Sequence, residues 1–125
     1  MSVGNQVLAE FGHSMGMGDL TWPDSGVVVL EFESRGELYL EDRDDALLVY
    51  LVRNLDTRGG TLNLLKNALQ LCHYRQGLPY VVQVGLRGEA SLVFLIRLPA
   101  NEANLPELER VLDTLTNLHD RVRVE

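Results

Sequence analysis

The order in which hydrophobic periodicity changes along this chain constrains its fold more than any single residue does. A helical stretch is followed by three strand-like stretches, a second helical stretch, two more strands and a closing helix. Val3, Val7, Leu8, Phe11 and Met15 recur at helical spacing, with Asn5, Gln6 and Glu10 on the other side, and Gly12, Gly16 and Gly18 mark the exit. Val28, Leu30 and Phe32 then alternate with Val29, Glu31 and Glu33, which predicts a strand with one apolar and one mixed face. Ser34, Arg35 and Gly36 break it, Gly36 supplying a positive φ, before a return strand in which Leu38 and Leu40 alternate with Glu37, Tyr39 and Glu41. After the charged turn Asp42 to Asp45, the run Ala46 to Val52 is apolar on both faces. Such a strand is central, and either both its faces are covered or one of them lies at an interface.

Gly59 and Gly60 punctuate the chain, and Thr61 is placed to cap a helix with Leu62, Leu65, Leu69 and Cys72 on one stripe, widened by Leu64 and Ala68. Gly77 and Pro79 end it. Tyr80 to Leu86 and Ala90 to Leu98 are predicted strands, and the short link Arg87, Gly88, Glu89 makes them antiparallel. The last helix has Asn104 as its cap, Pro106 in its first turn and Glu107 in the capping-box position. Its stripe of Leu105, Leu108, Leu112, Leu115 and Val122, flanked by Val111 and Leu118, is predicted to face the core, and Arg121, Arg123 and Glu125 to form a solvated end. The expected class is α+β, a twisted antiparallel five-stranded sheet with three helices in the order α-β-β-β-α-β-β-α, in one domain over 1–125.

Composition narrows the function classes. A chain of 125 residues with 46% hydrophobic content is too apolar for disorder. At this size it buries roughly two thirds of the surface its unfolded form exposes. The longest apolar run, Ala46 to Val52, falls far short of the ~20 residues that span a bilayer, and no leader is recognised, so membrane insertion is not expected. The net charge of −7, with Lys66 the only lysine and acids clustered from Glu31 to Asp45, argues against nucleic acid and against an anionic membrane surface.

Candidate chemistry is sparse. Gly12, Gly16 and Gly18 leave a helix and lack the Lys-Ser/Thr of a phosphate cradle, and Asp42, Asp44 and Asp45 lack the glycine and distal Glu of a calcium loop. His13, His73 and His119 fall on three separate helices and share no metal-ligand spacing; each is expected at the surface or half-buried. Cys72 reads as a small hydrophobe, because His73 points about 100° away from it around the helix. Ser14, Ser25, Ser34 and Ser91 have no activating motif. No catalytic residue, metal or cofactor is expected. Two readings stand for Trp22: a cap on the core, or part of an adaptable apolar surface with Met15, Met17 and Leu20.

Small size, acidity and this element order together resemble the class I chaperones of bacterial type III secretion. The segments Val29-Leu30-Glu31-Phe32-Glu33, Gly36-Glu37-Leu38-Tyr39-Leu40-Glu41 and Ser91-Leu92-Val93-Phe94-Leu95-Ile96-Arg97-Leu98 resemble the SycN-like branch. The resemblance implies a cytoplasmic dimer that holds the N-terminal region of a secreted protein in an extended state and delivers it for export without ATP, with at most transient contact to the apparatus at the inner membrane. It also implies a secreted effector, or the gatekeeper that plugs secretion, as cargo. The dimer is either a homodimer or a heterodimer with a second small acidic chaperone. On this basis Val7, Leu8, Phe11, Met15, Trp22, Val29, Leu38 and Leu40 are the expected cargo-binding residues. The expected dimer interface is Leu62, Leu65, Leu69, Val82, Val84 and Leu86. Two other classes stand beside this: a non-enzymatic regulatory adaptor that docks a folded partner, and a small α/β ligand-binding domain, which needs an enclosed polar-lined pocket.

Overall fold

A computed structural model of the chain describes residues 4–54, 61–73, 77–88 and 91–124, with Thr61, Arg123 and Val124 described by backbone alone. Val3, Gly59, Gly60, Glu89, Ala90 and Glu125 lie outside the described residues. The elements are α1 (Asn5–Ser14), β1 (Val27–Phe32), β2 (Gly36–Asp42), β3 (Ala46–Asn54), α2 (Thr61–Leu71), β4 (Val82–Arg87), β5 (Ser91–Pro99), a 3-10 turn (Ala100–Glu102) and α3 (Leu105–Val124). The strands form one antiparallel sheet in the order β1-β2-β3-β5-β4, so the strand that is apolar on both faces is the central one.

Strand alternation decides which side is packed. Val28 and Leu30 of β1, Leu38 and Leu40 of β2, Leu47, Val49 and Leu51 of β3, and Leu92, Phe94, Ile96 and Leu98 of β5 all point into one core. The register keeps them in phase, with Leu30 opposite Leu38, Leu38 opposite Leu51, and Leu51 opposite Phe94. α3 closes this face with Leu108, Val111, Leu112, Leu115, Leu118 and Val122, α1 adds Leu8 and Phe11, and α2 adds Ala68 and Leu71. Each such aliphatic side chain, fully buried, stabilises the fold by roughly 1.5–3 kcal/mol.

Local chemistry sets the element ends. α1 leaves through Gly16 at φ +77°, with the Met17 amide donating to the Gly12 carbonyl at 2.8 Å. Gly12 itself is buried, since a Cβ there would stand 2.5 Å from the Gly18 oxygen. The hairpin glycine, Gly36, sits at φ +115°, where a Cβ would meet the Val52 oxygen at 2.5 Å. α3 starts as expected, the Asn104 side chain accepting from the Glu107 amide at 3.0 Å. The Glu107 carboxylate does not complete a capping box, because it is taken by the Tyr80 hydroxyl at 2.6 Å and by Arg110 at 2.6 Å.

Two buried polar side chains tie layers together. Arg53 donates from Nε to the Arg35 carbonyl at 2.5 Å and from Nη1 to Asp120 at 2.7 Å, fastening the β1–β2 turn and β3 to α3. His119, expected at the surface or half-buried, is buried instead: Nε2 lies 2.8 Å from the Leu51 oxygen, and its ring meets Phe94 edge-on at 4.7 Å. A satisfied imidazole behaves here as a flat core residue.

Candidate functional site

Among the described residues, the features with binding character are surfaces. The opposite face of the sheet carries the other half of each strand, and the register aligns Val29, Tyr39, Tyr50, Leu95 and Gln83 in one row across all five strands. Tyr39 and Tyr50 stack with ring centroids 4.8 Å apart and planes 4° apart, and the Arg87 guanidinium lies 5.0 Å over the Tyr39 ring while donating to its hydroxyl. The Tyr50 hydroxyl donates to Glu41 at 3.1 Å, and its pKa is raised, first by burial and then by that carboxylate. At one end of this row Val29 is 47% exposed, on edge strand β1.

A second set of exposed apolar side chains lies on α2 and around β4. Leu62 and Leu69 of α2 are 64% and 54% exposed, Val81 just before β4 is 86% exposed, and Leu86 is exposed as well. β4, which carries Leu86 and directly follows Val81, is an edge strand with one side of its backbone unpaired among the described residues. An edge of this kind is open to strand addition.

The residues expected to bind cargo therefore separate. Leu8, Phe11, Leu38 and Leu40 are core residues: α1 turns Leu8 and Phe11 toward α3, and the helix-covered face of β2 carries Leu38 and Leu40, so none of the four offers surface. Val29 is exposed, and Val7, Met15 and Trp22 are half-buried, leaning on the core with one side in water. The Trp22 amide donates to Asn5 at 3.3 Å, which holds its loop against the start of α1. Of the residues expected at a dimer interface, Val82 is buried, Leu65 and Val84 are half-buried, and Leu62, Leu69 and Leu86 face solvent. Two features escaped sequence reasoning. Val81 was detectable as the residue out of phase with Val82, Val84 and Leu86; the Tyr39–Tyr50 stack depends on a register that no single strand reveals.

Among the described residues, no group of three His, Cys, Asp or Glu side chains comes together to hold a metal, and no helix is long and apolar enough to cross a membrane. His13 pairs with Asp19 at 2.5 Å across the α1 exit, in an exposed position that closes a loop and holds no site.

No curated protein matches the chain by sequence. Solved structures share the fold. SycH, the type III secretion chaperone of Yersinia pestis solved with a stable fragment of YscM2, aligns with a TM-score of 0.69 at 17% identity, covering 96% of this chain and 97% of that one. A chain of the HopA1–SchA chaperone–effector complex aligns at 0.66 and 20% identity, covering 94% and 88%. A chain of the heterodimeric ExoU–SpcU complex from the type III secretion system of Pseudomonas aeruginosa aligns at 0.67 and 20%, covering 92% and 93%. The family model of the type III secretory system chaperone SycN matches residues 4–123, nearly the whole of this sequence and every element described above. The chain belongs to the SycN family of type III secretory system chaperones.

Proposed function

We propose that this chain holds an extended N-terminal segment of a secreted protein, the gatekeeper of the secretion apparatus, as one half of a chaperone dimer in the bacterial cytoplasm. The role is holding without catalysis. Cargo lies along the β1 edge and the half-buried Val7, Met15 and Trp22, and the second subunit lies on α2 and β4. The observation that carries this reading is the pair of open sheet edges at opposite ends of the strand order, β1 with Val29 exposed and β4 with Leu86 and the preceding Val81 exposed. An extended segment adds a strand at such an edge and sets alternate side chains against the flanking surface, which suits a cargo kept unfolded. The cost of ordering the segment keeps affinity moderate, as release at the export apparatus requires.

The test is capture of the gatekeeper's N-terminal segment, co-expressed with the chaperone pair. Val29→Asp replaces an exposed side chain on an edge strand, so the fold survives at a cost of at most ~1 kcal/mol. We expect capture to fall about tenfold, the effect of ~1.4 kcal/mol of lost burial plus a desolvated charge, with unchanged circular dichroism. Equal capture by wild type and variant would remove β1 from the cargo site.

A further inference from the structure

The exposed stripe of α2 is not uniformly apolar. Leu62, Lys66 and Leu69 follow one another at intervals of four and three residues, on the side of the helix opposite the core residues Ala68 and Leu71. Lys66 is the only lysine of the chain and the middle residue of the eleven in α2. Among the described residues it forms no ion pair. The surrounding sequence is just as uneven: from Thr61 to Gly88 it contains Lys66, Arg75 and Arg87 but no Asp or Glu, although the whole chain has 18 acids.

This arrangement bears on what can cover the stripe. A two-fold interface is isologous, so residues at the middle of the patch lie nearest the axis and meet their own copies. With α2 crossing α2 of a second copy, Lys66 faces Lys66, and neither α2 nor β4 of that copy supplies a carboxylate to separate them. Two ammonium groups brought together as Leu62 and Leu69 lose water repel one another strongly, and the repulsion grows as water leaves. A lysine inside an apolar seam specifies its partner at a cost to self-association.

We infer that Lys66 selects the subunit that covers α2: it disfavours a second copy of this chain and admits a different chain that brings an Asp or Glu to the middle of the stripe. This rests on the reading that α2 and β4 form the subunit contact, and goes beyond it by naming the selecting residue and the chemistry of the partner.

The experiment needs no identified partner, since a charge-reversed copy of the chain serves as the probe. Self-association of the wild type, Lys66→Leu, Lys66→Glu and Leu69→Asp is followed by light scattering and sedimentation, each alone, and the wild type is also mixed with Lys66→Glu. Lys66→Leu is expected to self-associate at least about tenfold more tightly than the wild type. The mixture of wild type and Lys66→Glu is expected to form mixed dimers in excess of the statistical share. Raising salt from about 0.05 to about 0.5 M should weaken those mixed dimers and strengthen wild-type self-association, because screening acts on attraction in one and on repulsion in the other. Selection by Lys66 is overturned if the Lys66 variants associate as the wild type does, whether all dimerise or all stay monomeric, and mix only statistically. Leu69→Asp tells the two levels apart. If it disperses dimers that the Lys66 variants leave unchanged, only the selection falls; if it too leaves dimers intact, α2 is not the contact and the subunit reading falls with it.

Discussion

Burial of the Cys72 thiol against the core pushes its pKa up to about 11 from an ordinary 9.0. The raised value favours the neutral thiol in the folded state. That preference is fully present below pH 9, the unfolded value, and is lost as pH climbs through 11. At pH 9 the native thiol is then only about 1% thiolate, against about half in the unfolded chain. Alkylation by iodoacetamide at that pH is expected to run tens of times faster in denaturing urea than in buffer; equal rates would show that the thiol is not shielded. That Cys72 behaves as a hydrophobe was legible from its position on an apolar helix stripe. The burial of His119 was not, because a lone imidazole at helical spacing looks the same whether its hydrogen-bond partner is water or, as here, the Leu51 carbonyl of a strand 68 residues earlier.

At the scale of elements, the order α-β-β-β-α-β-β-α was legible throughout, because each element carries its own periodicity and its own stop signal. Which side of an element meets solvent was only partly so. In β2 the alternation separates Leu38 and Leu40 from Glu37, Tyr39 and Glu41, yet only packing against α3 and α1 shows that the leucines are consumed by the core. In α2 the leucines occupy more than one face, and the structure divides them: Leu71 inward, Leu64 and Leu65 at the boundary, Leu62 and Leu69 outward. The start of α3 was legible down to the capping atom. The bond from the Glu107 amide to the Asn104 side chain satisfies a donor that otherwise lacks a partner in the helix, so Asn104→Ala is expected to cost about 1 kcal/mol. Urea melts of the two proteins give the comparison, and an unchanged midpoint would mean that water caps the helix equally well.

For the molecule as a whole, the packed face of the sheet is covered by three helices from its own chain, whereas both edges and the tyrosine face have no cover among the described residues. Under the proposed role, stability is then shared with the partner subunit and the cargo. A subunit supplied at 100 times its dissociation constant stabilises the folded chain by about 2.7 kcal/mol. The melting temperature of the chain co-purified with its partner chaperone is therefore expected to exceed that of the isolated chain and to fall on dilution; a concentration-independent melt identical to that of the chain alone would contradict it.

The pinned β1–β2 turn carries a consequence for rates. Arg53 holds the Arg35 carbonyl, Arg35 reaches Asp113 at 3.4 Å, and Arg53 is held in turn by Asp120, so the tip of the β1–β2 hairpin is moored to α3. Under the proposed role, an edge moored in this way needs no slow opening step of its own before cargo binds. On that reading, the time a newly made secretion substrate spends unprotected is set by how often its disordered segment collides with β1 in a strand-like posture, a property of the substrate that the chaperone does not limit.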